Sequence, residues 1–590
     1  MLSIRAVAFG ILTINVLAIT IATFSAFNAK SNASKLVNLP AVFDDNDFLT
    51  NKLRGSMTAQ EERELATKSS YRFDDPKIAY YILEKLDIFE IVDPIKGANY
   101  KTPAGGFKIN DNYCDEHRAY FVEHPEMVFE QRNIITNYWR RHKLRTQIIP
   151  MFEARDMHKE VYPGSPDTDL YKYDMTVNAT MFYTYNLFYY KRQVGKQFSC
   201  LSQVSNHIPG HDKMYRKDYV GQSLVEYASK YKSRPTCFNY NRYFPKTWVL
   251  QKKDQCLDFF KEFNSQEYQK MKKERNVVYF RKIGANVHEG KGVFPVDNEE
   301  EVYIRKLYKN GALCGKVKDN NLIQYNVHNL LLLDNRKFGF RMFLLIASTN
   351  PVLAYYHDGY ARLSMNEYDP TSKEKKTFVT NIGVNLKEAS QGTIYQNMTP
   401  EQIQEHTCWF LEDFHRYLME HNIIRDPNWL DNHLRPEFKK VMVHLIRMAQ
   451  SGFFKKSSLF ELFGLDFVMD ENLELWFIEA NSMPLIDGFT KDSTKLINKM
   501  MADTFEIVLG LLKSRMKRVI TYINEVTKEV NETGLSIRNL DQKRNHFKKI
   551  AENYFEPEFV PSPDNTFYKI IDDREYGIKR YAGLIEKKCL

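Results

Sequence analysis

Apolar and polar residues alternate strictly along Lys337-Phe338-Gly339-Phe340-Arg341-Met342, which predicts a strand with Lys337, Gly339 and Arg341 on one side and Phe338, Phe340 and Met342 on the other. The apolar run reaches residue 347, and two further runs follow at 352–357 and 360–364. Thr349-Asn350-Pro351 and Asp358-Gly359 divide them, so the pattern predicts a meander of antiparallel strands. Upstream, Asn276-Val277-Val278-Tyr279-Phe280 is a β-branched and aromatic run that reads as a buried strand. Downstream, 459–469 and 473–480 predict a hairpin about Asp470-Glu471-Asn472. Helical periodicity marks 128–142, 401–421, 436–449 and 492–518, while 181–190 is an aromatic run. No internal repeat or low-complexity tract interrupts this order.

These patterns predict an α+β protein with mixed, mainly antiparallel sheets, preceded by a helical and mixed N-terminal region. The expected division is an apolar leader over 1–30, a polar extension over 31–111, an α/β region over 112–275, a catalytic core over 276–518 and a charged tail over 519–590. The leader carries no charge from Ala6 to Ala29 and follows Arg5, as a signal peptide or membrane anchor would. The sequons at Asn32 and Asn178 matter only if the chain enters the secretory lumen.

With 590 residues, 43% of them hydrophobic, the chain exceeds one compact core and is not a disordered polymer. The net charge of +9 suits acidic polypeptides, nucleic acids or anionic membranes alike. The seven cysteines show no C-x-x-C pair, so the sequence predicts neither a structural zinc site nor a disulfide framework, and the odd count points to a reducing compartment.

The acidic residues inside the predicted hairpin carry the chemistry. A two-residue loop at Glu471-Asn472 would set Asp466 opposite Phe477 and on the same face as Glu479 and Asn481, giving three oxygen ligands suited to magnesium. A loop of odd length would reverse that parity, and spacing alone equally allows a solvated sheet face, as expected for Glu461 and Glu474. On the alternating strand, Lys337 and Arg341, with Arg362 from the neighbouring run, could address phosphates, or form an ordinary exposed basic face. Lys282 and the Gly290-Lys291-Gly292 loop extend this basic set, but no Walker loop is present because Gly-Lys is not followed by Ser or Thr.

In order, these segments resemble the tubulin-tyrosine ligase-like family. Asn206-His207-Ile208-Pro209-Gly210 with Arg216-Lys217-Asp218, and Phe244-Pro245-Lys246-Thr247-Trp248, resemble its early motifs. Tyr279-Phe280-Arg281-Lys282, Ile323-Gln324-Tyr325, Lys337-Phe338-Gly339-Phe340-Arg341, Asp358-Gly359-Tyr360-Ala361-Arg362 and Val379-Thr380-Asn381 are similar to successive later ones. Phe463-Gly464-Leu465-Asp466-Phe467 through Glu479-Ala480-Asn481 resembles its metal-binding signature, and the likeness spans about 200–515. It implies an ATP-grasp-like core that uses ATP and magnesium to activate a carboxylate as an acyl phosphate, which an amine converts to an amide. The resemblance assigns magnesium to Asp466, Glu479 and Asn481, and nucleotide contacts to Lys217, Lys282, Gln324 and Lys337. It assigns the phosphoryl group and substrates to Arg341, Arg362, Thr380 and Asn381. It further implies a free amino acid (glutamate, glycine or tyrosine) and tubulin tails or microtubules as partners, at the cytoskeleton or cilium, and no nucleic acid.

The chain departs from the family pattern at Gly339 for Asp, Phe378 for His, Ile283 for Pro and Ile323-Gln324 for Gln-Lys. A degenerate microtubule- or membrane-associated binding protein, and a ligase with a non-tubulin acceptor in an endomembrane lumen, are the competing readings.

Overall fold

The structure is a computed structural model that describes residues 71–90, 113–129, 134–137, 159–161, 179–184, 200–234, 237–275, 277–284, 292–369, 398–482, 484, 491–534 and 559–573. Its strands in chain order are β1 Ile134–Asn137, β2 Lys159–Val161, β3 Met181–Thr184, β4 Val204–Asn206, β5 Thr247–Val249, β6 Tyr279–Ile283, β7 Val293–Pro295 and β8 Asn321–Tyr325. They continue with β9 Leu332–Leu333, β10 Arg336–Thr349, β11 Val352–Leu363, β12 Cys408–Phe410, β13 Leu459–Met469, β14 Leu475–Asn481 and β15 Tyr568–Asp572.

Two sheets result. The smaller, ordered β5-β8-β6-β7, is antiparallel throughout. The larger follows the path β12-β11-β10-β13-β4-β3-β1-β2, with β14 on β13, β15 on β11 and β9 on β10. Its parallel pairs lie at the β4, β3, β1 and β2 end, and its β9 to β15 pairs are antiparallel. The expected α+β class with mixed, mainly antiparallel sheets is therefore what the chain adopts.

Apolar spacing explains how each sheet is covered. In the helix Lys253–Phe263, Cys256, Phe259, Phe260 and Phe263 recur at helical spacing and are all buried, joining Trp248, Tyr279 and Ile323 of the small sheet in one core. Ser265 accepts a hydrogen bond from the Tyr268 backbone N–H and so fixes the start of the next helix, Gln266–Glu274. Across the large sheet, Phe438 of the helix Arg435–Ala449 packs edge-on against Phe340 of β10 and Phe467 of β13. Phe338, Phe340 and Met342 thus face the core, as the alternation requires.

Several local expectations change. The runs at 352–357 and 360–364 form one strand, β11, because Asp358-Gly359 sits in a bulge opposite Met342 rather than in a turn. A Cβ at Gly359 would lie 1.8 Å from the Arg341 carbonyl oxygen, so the close approach requires glycine. Within 128–142 the helix ends at Phe129 and Ile134–Asn137 is a strand, since the β-branched pair Ile134-Ile135 enters the sheet. The 401–421 segment breaks into helices Pro400–Thr407 and Leu411–Glu420 around β12. The final helix, Lys491–Thr533, runs past residue 518.

The cysteines supply a larger correction. Cys114 is bridged to Cys200 and Cys256 to Cys314, with Cα separations of 5.5 and 5.6 Å, and Cys237 is also disulfide-bonded. Partners 86 and 58 residues apart leave no spacing motif, so only the fold reveals them. The expected leader, 1–30, lies outside the described residues; among those described, no helix is long and apolar enough to cross a membrane.

Candidate functional site

The hairpin of β13 and β14 sets the site. Its loop is wider than two residues: Met469 pairs with Leu475, and the Asp470 carboxylate accepts from the Asn472 and Glu474 backbone N–H groups and from Trp476 Nε1. That one-residue shift would by itself turn Asp466 away from Glu479. A bulge between Asp466 and Phe467 adds a second shift, so Asp466 pairs directly with Glu479, and Gly464 with Asn481. Two irregularities thus cancel, and the acidic groups share a face.

Cations from four elements meet this face. Arg341 of β10 lies opposite Asp466 and donates from Nε and Nη2 to its two carboxylate oxygens at 2.5 and 3.0 Å, while Arg362 of β11 donates from Nη2 at 2.7 Å. Gly464 leaves room for this fork: a Cβ there would stand 3.0 Å from Arg341 Cδ and 2.8 Å from Pro484 Cβ. Lys217 opens the helix Lys217–Lys230 and places its Nζ 3.2 Å from Glu479 Oε2. Lys282 of β6 donates to Gln324 Oε1 at 2.5 Å, and Gln324 Nε2 donates to Thr247 Oγ1 at 3.0 Å.

The electrostatics follow from this crowding. Burial alone would raise both acids, but Arg341 and Arg362 hold the Asp466 carboxyl below the usual range, and Lys217 and Lys282 do the same for Glu479 despite repulsion from Asp466. Burial pushes Lys282 down to about 8, with Glu479 opposing and Lys217 and Lys337 adding to the shift. Burial likewise pushes Lys337 down to about 8. A polyanion bound beside them would favour their charged form.

Lys217, Lys282, Gln324 and Glu479 line one cleft between the two sheets, with Val220, Leu322 and Phe477 as apolar walls. The structure therefore brings Lys217, Lys282, Gln324, Arg341, Arg362, Asp466, Glu479 and Asn481 to one region, and Lys337 acts electrostatically on Lys282 there. Asp466, Glu479 and Asn481 offer hard oxygen donors on a shared face; two mutually repelling carboxylates flanked by cations are a donor set that fits magnesium. Thr380, Asn381, Phe378 and the Gly290-Lys291 loop lie outside the described residues.

Glu461 is the main residue that the sequence reading misplaced. It is 1% exposed rather than solvated, and accepts from His207 Nδ1 and the Ile208 backbone N–H, both at 2.9 Å, with His211 Nδ1 at 3.3 Å. These contacts tie the loop before Lys217 to β13, and His207 is held at φ 72°. The available signal was an acid within an apolar strand, which requires a buried partner, together with His207 and His211 upstream.

The chain is 26% identical over 288 residues to the inactive polyglycylase TTLL10 of Homo sapiens, covering 47% of this chain and 40% of that protein. It is 27% identical over 335 residues to the protein polyglycylase TTLL10 of Macaca fascicularis, covering 54% and 50%. To the probable beta-tubulin polyglutamylase of Tetrahymena thermophila it is 22% identical over 413 residues, covering 64% and 31%. The chain thus spans about half the length, or less, of the curated relatives it matches. The model of the tubulin-tyrosine ligase family, an ATP-grasp-like family, matches residues 196–518, more than half of the chain and the whole of the cleft just described, and the chain belongs to that family.

Proposed function

We propose that the cleft is the nucleotide site of an ATP- and magnesium-dependent ligase that joins an amino acid to a carboxylate of an acidic protein segment. The observation that carries this reading is the convergence of four cations, Lys217, Lys282, Arg341 and Arg362, on the carboxylates of Asp466 and Glu479 beside an apolar-walled cleft, with Lys337 acting on Lys282. Asp466, Glu479 and Asn481 would hold magnesium. Lys217, Lys282, Gln324 and Lys337 would bind the nucleotide, with Val220, Leu322 and Phe477 against its base. Arg341 and Arg362 would face the transferring phosphoryl group, where fixed guanidinium groups neutralise developing charge without reorganising. Thr380 and Asn381 would contact the reacting groups.

When bound, magnesium-ATP would supply the phosphoryl group that makes a carboxylate electrophilic towards an amine. The chain's own task is to hold phosphates, carboxylate and amine in line and to exclude water. Relatives named as polyglycylases and polyglutamylases support glycine or glutamate as the added residue, and the net charge of +9 favours an acidic acceptor such as a tubulin tail.

The test is mass spectrometry of tubulin, or of a glutamate-rich tail peptide, incubated with the full chain, ATP, magnesium and an amino-acid mixture. Mass increments of one or more residues with matching ADP release are expected. Neither product would instead favour a binding protein without catalysis, a reading supported by Gly339 standing where the family pattern has a carboxylate.

A further inference from the structure

We propose that this chain works in an oxidising compartment, the secretory lumen or the cell exterior, and that its acceptor is an acidic polypeptide of that compartment. The proposal rests on the ligase reading for the acceptor's chemistry, but its compartment stands on observations independent of that reading, the cysteines first. Among the described residues five of six cysteines are disulfide-bonded, and Cys408 keeps its thiol. The two bridges arise in different places. Cys114–Cys200 ties the helix Tyr113–Glu123 to the segment entering β4, and Cys256–Cys314 pins the helix Lys253–Phe263 to the loop before β8.

Each of these four cysteines is at most 5% exposed, so the bridges are structural rather than exposed and exchangeable. Such bridges persist in secreted and lumenal proteins and are rare where glutathione keeps thiols reduced. Each forms by exchange with a disulfide oxidant: the two thiols lose two protons and two electrons, and the oxidant leaves as a dithiol. The sequence supplies an independent indication, because the uncharged stretch from Ala6 to Ala29 after Arg5 has the composition of a secretory signal or anchor. A further sequon, Asn531-Glu532-Thr533, is exposed at the end of the helix Lys491–Thr533 and is open to glycosylation. In this setting a tubulin tail is a chemical surrogate for the acceptor, recognised through its acidity.

The test produces the full chain from its own first residue in a eukaryotic cell, quenches the cells in acid and alkylates the thiols under denaturing conditions, so that buried thiols are also reached. Peptide mapping before and after reduction then reads each cysteine. The proposal expects Cys114, Cys200, Cys256 and Cys314 to be labelled only after reduction, Cys408 to be labelled before it, and a glycan mass to be lost in Asn531→Gln. Labelling of all four without reduction would overturn it. Neither outcome depends on turnover, so a failed ligase assay would leave this result standing, and alkylated but active protein would refute the compartment while keeping the ligase.

Discussion

Asp466 and Glu479 pair directly across β13 and β14, and each carboxylate is held by its own cations, Asp466 by Arg341 and Arg362 and Glu479 by Lys217. The arrangement couples stability to chemistry, because groups that would serve a metal and a polyanion also neutralise one another.

Removing one partner should expose that coupling. Arg341→Ala leaves a largely buried carboxylate with Arg362 alone, and is expected to destabilise the fold by about 2–4 kcal/mol, read as a lower urea midpoint. Because Asp466 and Glu479 titrate below their ordinary values when folded, they contribute stability above about pH 4–5, which is lost as pH falls through the folded values. Asp466→Asn should flatten that acid limb in urea titrations at stepped pH.

Lys282 and Lys337 carry the opposite signature. Pushed down to about 8, they lose charge at mildly alkaline pH, so phosphate affinity should fall as pH rises through that value. Below it their buried charge costs stability, a cost that disappears as pH rises towards the ordinary lysine value. Calorimetric titration of ATP near pH 8 in buffers of differing ionisation enthalpy should show proton uptake, and Lys282→Met together with Lys337→Met should remove it.

Gly464→Ala tests the room reserved for the Arg341 fork. The new methyl would meet Pro484 and Arg341 at 2.8 and 3.0 Å, so a loss of about 1–3 kcal/mol is expected, with turnover falling more than substrate affinity. Thermal unfolding and steady-state kinetics on the same sample read both effects.

Glu461→Ala would strand the Ile208 N–H and the His207 ring in a buried site. A cost of about 1–3 kcal/mol follows for an unsatisfied buried group, and Glu461→Gln, which keeps an acceptor for the backbone N–H, should recover part of it in denaturant unfolding.

The site was legible where side-chain type and period sufficed. The alternation at 337–342 gave the face of Arg341, and acids within the apolar 459–481 hairpin marked its partner surface. The register was not legible, because a wide loop and a bulge each shift the pairing by one residue and only their combination restores the parity. Glu461 was misplaced because its ligands, His207 and Ile208, are more than 250 residues away. The same distance effect hid the disulfides, and the continuous β11 was split because Asp358-Gly359 has turn composition but fills a bulge.

If the cleft is the nucleotide site, the acidic hairpin and the cationic strands together bind one magnesium-nucleotide complex. Equilibrium titration of a non-hydrolysable ATP analogue, with and without magnesium, into wild type and Glu479→Gln tests it directly. Magnesium-enhanced binding is expected in the wild type, with loss of that enhancement, by about tenfold or more, in the nearly isosteric variant with its unfolding midpoint retained. Equal magnesium dependence in both proteins, or no nucleotide binding by the wild type, would contradict it.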